Sequence, residues 1–194
     1  TLGGSAPRLV PLARQLATME LKLGNYDAAI TELRRVVNVS REVWGEHPKV
    51  ARAMHDLGRA LAQAGRLEEA RDQHERALGL WERTRGKDHP DAAFALTSLG
   101  EIDLKQGKAE AAVDRLERAL KLRGGRGLDP QLLADTQFAL ARALHKVDDR
   151  PRARELAAKA RDAYKNGKPP SPDRAAEVER WLSDVGETLP ESPI

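Results

Sequence analysis

The side chains best equipped for chemistry in this sequence of 194 residues are five histidines, a series of arginines at helical spacing and a few acidic pairs. No two of His47, His55, His74, His89 and His145 stand three or four residues apart, the spacing at which one helix face offers two imidazoles to one metal ion. The absence of cysteine removes thiolate ligands, disulfides and thiol nucleophiles together. Serine is scarce, and none lies in the sharp strand-to-helix turn that presents a catalytic hydroxyl. Glu68-Glu69, with Arg71 and Asp72 nearby, reads as charged helix surface and not as an acid–base pair. Gly124-Gly125-Arg126-Gly127 has no strand before it and no Lys and hydroxyl after it, so it reads as a linker and not as a phosphate loop. Nothing in the chain reads as a catalytic, cofactor or metal site.

The arginines offer a different chemistry. A guanidinium is a planar fork of donors that matches a carboxylate or phosphate. At the helical period, one line of side chains runs Arg14, Thr18 and Lys22, and a second runs Arg52, His55, Arg59 and Gln63. A third runs Thr97, Glu101 and Lys105, and a fourth Phe138, Arg142 and His145. Basic residues outnumber acidic ones along these lines, which favours an extended partner bearing Asp, Glu or phosphorylated side chains. The alternative is a row of solvated charges on helix faces. Phe138 reads either as an anchor for an apolar side chain of the partner or as interior packing.

These lines need helices to carry them, and the sequence supplies helices in a repeat. The stretch from His47, HPKVARAMHDLGRALAQAGRLEEARDQHERALGL, recurs from His89 as HPDAAFALTSLGEIDLKQGKAEAAVDRLERALKL, with Leu57-Gly58 returning 42 residues later as Leu99-Gly100. Fainter copies place Leu16-Ala17 ahead and Leu140-Ala141 behind. Within the second unit, Val50, Met54, Leu57, Gly58 and Leu61 form one stripe, and Leu67, Ala70, His74, Ala77 and Trp81 form another. Each unit is therefore two amphipathic helices around a turn at Gly24, Gly65, Gly107 or Asp148, where a left-handed backbone ends the first helix. Small residues Ala17, Gly58, Gly100 and Ala141 are expected to meet Ala29, Ala70, Ala112 and Ala153. Pro48, Pro90 and Pro130 suit the first helical position, with His47, His89 and Asp129 as caps.

The organisation expected is a lead-in over 1–7, repeats over 8–45, 47–86, 89–123 and 129–166, a capping helix over 171–186 and a disordered tail over 187–194. Composition agrees with an all-α class: aromatic residues are 4% of the chain and charged residues 32%. Trp44, Trp81 and Trp181 fall near helix ends and suit inter-helix junctions.

The Leu-Gly in the first helix, the Gly at the turn, Ala70, Ala112 and Ala153 early in the second helix, and Ala77, Ala119 and Ala160 later in it resemble the tetratricopeptide repeat. The 42-residue spacing and the linkers WGEHPKVA and RGKDHPDAA resemble its kinesin-light-chain variety. That likeness implies a right-handed superhelical solenoid of four helix pairs whose first helices line a concave groove, and a protein–protein interaction scaffold without enzyme activity. The paired Asn with which kinesin light chains hold a peptide backbone are replaced here by His55-Asp56, Thr97-Ser98 and Phe138-Ala139, so cargo specificity is not carried over.

LADTQFALARALHKVDDRPRARELAAKARDAY with AAEVERWL resembles the C-terminal ends of repeat arrays attached to bacterial, notably myxobacterial, serine/threonine kinases. This implies a regulatory or recruiting region of a larger signalling protein, and a chain opening with Thr1 is read as a piece of one. His89-Pro90-Asp91 matches the tripeptide of chaperone J-domains, but His47-Pro48 at the same phase of the repeat accounts for it.

With 33 basic and 30 acidic residues, the net charge of +3 is a small excess on a densely charged surface. An acidic protein or peptide partner is expected, with self-association through the first helix pair as a further contact. Nucleic acid is the rival class, disfavoured by so small an excess and so few aromatic platforms. No apolar run approaches the length of a membrane span. The expected compartment is the cytoplasm, or the periplasm if a span precedes this segment in the parent.

Overall fold

The computed structural model describes residues 6–124 and 129–187, and all regular secondary structure among them is helical. The helices are α1 (Ala6–Lys22), α2 (Tyr26–Trp44), α3 (Pro48–Gln63), α4 (Leu67–Arg85), α5 (Ala92–Lys105), α6 (Ala109–Arg123), α7 (Pro130–Lys146), α8 (Arg150–Asn166) and α9 (Pro172–Glu187). The all-α class is as the repeat implied. Ala6 and Pro7, within the expected lead-in, already belong to α1. Residues 1–5 of that lead-in, residues 125–127 of the glycine linker and residues 188–194 of the expected tail lie outside the described residues.

Four turns close their helices identically. In the second repeat the Arg66 N–H donates to the Leu61 carbonyl and the Gly65 N–H to that of Ala62. This six-to-one and five-to-two pairing satisfies carbonyls that the end of a helix leaves open. The same pair recurs at Asn25 and Gly24, at Lys108 and Gly107, and at Asp149 and Asp148. The closing residue must take positive φ: Gly24 has +80°, Gly65 +77° and Gly107 +74°, while Asp148 reaches 66° as a non-glycine.

Helix starts follow the proline pattern twice and depart from it once. The His47 ring accepts from the Lys49 N–H at 3.1 Å ahead of Pro48, and the Asp129 carboxylate accepts from the Gln131 N–H at 2.9 Å ahead of Pro130. Before α5, His89 likewise caps the Asp91 N–H at 3.1 Å, yet the helix begins only at Ala92. The Ala92, Ala93 and Phe94 N–H groups each reach back three residues, a tight first turn that leaves Pro90 outside the helix.

The chain divides into two compact units, one ending at Ile102 and one beginning at Asp103. In the first, α1 packs on α2, α2 on α3 and α3 on α4. Its core holds Ala17, Ala29, Ile30, Leu33, Val36, Val50, Leu57, Leu61 and Trp81. A methyl at Gly58 would stand 2.6 Å from the His74 ring. Gly58 is therefore the space that His74 fills. In the second unit α6, α7, α8 and α9 pack in succession around Ala134, Leu140, Ala141, Leu156, Ala157, Tyr164 and Val178.

Candidate functional site

In the first unit, α1 and α3 present their polar lines to a common hollow. A cavity of about 670 Å³ is lined by Pro11, Arg14, Gln15, Thr18, Met19 and Leu21 of α1, Leu33 of α2, and Arg52, Asp56 and Arg59 of α3. Four of the residues expected to line a groove, Arg14, Thr18, Arg52 and Arg59, thus come together. The 41-residue interval between repeats and the helical period carry this juxtaposition, because side chains at the same phase of successive first helices lie on one side.

The charges in the hollow are partly spoken for. Arg14 Nη2 and Nε lie 2.6 Å and 2.7 Å from Asp56 Oδ2, and Arg52 Nε lies 3.5 Å from Asp56 Oδ1. Arg52 also lays its guanidinium over the Phe94 ring at 4.7 Å, a cation–π contact that fixes its fork in one plane. Arg59 is exposed and has no ion-pair partner among the described residues. Three guanidiniums face one carboxylate, so the hollow keeps an excess of positive charge beside the apolar side chains of Leu21 and Leu33. Asp56, which lies on neither of the expected lines, was missed because position along the helix does not reveal that two arginines from different helices converge on it.

Other expected line residues are elsewhere. Lys22 and Gln63 are exposed near the ends of their helices, outside the cavity lining. His55 is buried, its ring 5.1 Å from that of His74, 5.9 Å from Trp81 and 5.7 Å from Phe94. Thr97 is buried too, with its hydroxyl donating to the Ala93 carbonyl. Glu101 is exposed in the first unit and Lys105 in the second.

In the second unit Phe138 is only 3% exposed, and of its two readings interior packing is the one realised. Trp181 of α9 meets it edge-on at 5.8 Å and meets His145 at 5.7 Å, while Arg142 lies 5.9 Å above the Phe138 ring. Helix α9 is anchored there by charge as well. Arg174 Nη2 donates to Asp135 Oδ1 at 2.9 Å and to the Tyr164 hydroxyl oxygen at 3.1 Å, and the Tyr164 hydroxyl donates to Asp135. Burial, reinforced by the bond to Asp135, pushes the Tyr164 phenol above its ordinary range.

His74 occupies the core, as the stripe of α4 predicts. It is fully buried, neither ring nitrogen has a hydrogen-bond partner, and burial together with the Arg59 charge lowers its pKa to about 3. Among the described residues no group of three His, Cys, Asp or Glu side chains is arranged to hold a metal ion. No described helix is long and apolar enough to cross a membrane.

A profile of the tetratricopeptide repeat matches residues 9–81 and 60–124, more than half of the chain, and a second profile of that repeat matches residues 134–159. The chain belongs to the tetratricopeptide repeat family. The similar solved structures agree with that in fold. BtubC (BKLC) from P. vanneervenii has a TM-score of 0.69 at 22% identity, over 97% of this chain and 69% of its own. A kinesin light chain with nearly identical TPR-like repeats from Podosopora anserina, described as putative, has 0.69 at 21%, over 94% of each chain. NprR, solved with its cognate peptide NprX, has 0.76 at 20%, over 94% of this chain and 52% of its own. No curated protein matches the sequence. A tetratricopeptide array is an interaction scaffold.

Proposed function

We propose that this tetratricopeptide module binds an extended acidic peptide segment in the hollow between α1 and α3. The observation that carries the reading is Arg59: an exposed guanidinium without a partner among the described residues, flanked by Arg14 and Arg52 beside apolar side chains. A carboxylate or phosphate of the ligand pairs with Arg59, and an adjacent apolar side chain rests on Leu21 and Leu33. Asp56 competes with the ligand for Arg14 and Arg52, so it sets how acidic a segment must be to bind. The likeness in fold to NprR, solved with a peptide, supports a peptide as the ligand class. The resemblance of residues 133–164 and 175–182 to repeat arrays of bacterial kinases supports a recruiting role within a larger signalling protein.

The test is fluorescence anisotropy with a library of labelled peptides, graded in Asp, Glu and phosphoserine content, at rising salt. Acidic members should bind, and their affinity should fall as salt screens the arginines. Arg52→Glu with Arg59→Glu should weaken binding by about 100-fold, the equivalent of losing two charge-assisted contacts, with the circular dichroism of the helices unchanged. Binding that ignores both salt and the double substitution would place the ligand on another face.

A further inference from the structure

Four large apolar side chains of α1 stand open to solvent: Leu12 at 62%, Leu16 at 50%, Met19 at 62% and Leu23 at 72%. Their spacings of four, three and four residues set them in one stripe along the helix. Such a stripe is a packing surface elsewhere in this fold. One repeat on, the same phases hold Ala53, Leu57 and Ala60 of α3, all buried in the core of the first unit.

The comparison also says what kind of cover α1 suits. The copy in α3 is built mostly of alanine, which suits the close approach of a neighbouring helix. On α1 the corresponding residues are Leu12 and Met19, whose bulk holds a neighbouring helix farther off and suits a leucine-rich seam between two helices.

We infer that the α1 stripe pairs with the α1 stripe of a second copy of this chain, the two helices antiparallel about a two-fold axis. The spacing reads the same from either end. Turned about a centre between Ala17 and Thr18, Leu12 meets the second copy's Leu23 and Leu16 meets its Met19. Gln15 and Glu20 flank the stripe on opposite sides, so in this register each lies on the side of its own copy, and the complementarity rests on the apolar side chains alone. A two-fold contact requires this kind of self-complementarity. Met19 also borders the hollow between α1 and α3, so pairing covers one rim of that hollow and leaves Arg52 and Arg59 on the other.

The full 194-residue chain should show a monomer–dimer equilibrium by sedimentation velocity. Leu16→Glu should raise the dimer dissociation constant by about 100-fold or more while the helical circular dichroism is kept. The register has its own test, because the chain contains no cysteine. Oxidising a mixture of Leu12→Cys and Leu23→Cys chains should give a mixed disulfide dimer, and neither variant alone should cross-link. A chain that stays monomeric at every concentration overturns the proposal, as does a dimer indifferent to Leu16→Glu. Self-cross-linking of Leu12→Cys overturns the antiparallel register, and the cysteine pair decides the matter even if Leu16→Glu fails to fold.

Discussion

The inner lines of α3 and α7 come from one repeat pattern and end in different surroundings. On α3, His55 is buried beneath Trp81 and Phe94, but Arg59, one turn on, stays exposed beside a cavity of about 670 Å³. On α7, Phe138 takes the place of His55, and Trp181 of α9 spans Phe138 and His145 with Arg142 half-buried alongside. The repeat decides which way a side chain points, whereas the element packed next to it decides whether that side chain can be reached. A line read from helical period alone is therefore a list of orientations, and only part of it becomes a surface.

The largest effect should come from removing that cover. Trp181 is the main aromatic contact of α9 on α7 and is itself half-buried, so Trp181→Ala should cost about 3 kcal/mol, the low end for a large aromatic truncation. Urea denaturation would register the loss. Hydrogen exchange should place it in α9 and α7, with the amides of α3 and α4 keeping their protection. An equal loss of protection in α3 and α4 would show that the two inner lines are not independently covered.

A second contrast lies in the cores. His74 stands where the last repeat has Ala157 and the third has Leu116, so one of the two units carries a buried, unpartnered imidazole opposite a glycine. Folded, its pKa is about 3, while the unfolded ring titrates near 6.5. The native state thus resists a proton that the unfolded state accepts. Its contribution is intact above about pH 6.5 and is lost progressively as pH falls toward 3. Between pH 7.5 and pH 5 the penalty from His74 should be about 2 kcal/mol. His74→Leu, which restores the residue type of Leu116, should remove most of this pH slope in urea titrations. A slope unchanged by the substitution would assign the acid sensitivity to other groups.

The parts of this molecule legible in the sequence are those governed by local rules. Turn residues, caps and the amphipathic stripes follow from backbone geometry and a 3.6-residue period, which is why the positive φ at Asp148 could be read from its alignment with Gly24, Gly65 and Gly107. The start of α5 was misplaced because the tight turn through Pro90 and Asp91 satisfies the same capping signals as a regular first turn. The candidate site was half legible. Arg14, Thr18, Arg52 and Arg59 converge, but the burial of His55 and Phe138 involves Phe94, Trp81 and Trp181, whose reach across helices no periodicity encodes. The pairing of Asp56 with Arg14 is invisible for the same reason, since it joins side chains 42 residues apart.

The smallest effect should come from the turns, where the two units differ by one residue. Gly65 has φ +77° and open space where a methyl would stand, so Gly65→Ala adds backbone strain and no collision, and should destabilise by about 1 kcal/mol. Asp148 accepts that strain already at φ 66°, partly offset by the reach of its carboxylate to Arg150 Nε at 2.8 Å. Asp148→Gly relieves about 1 kcal/mol of left-handed strain, but glycine also frees the unfolded chain, and the exposed ion pair is lost. The balance should be a gain of about 0.5 kcal/mol. The two substitutions therefore have opposite signs at equivalent turns, measurable as opposite shifts of the urea midpoint. Destabilisation by both would mean that the Asp148 carboxylate contributes more through its local contacts than its backbone conformation costs.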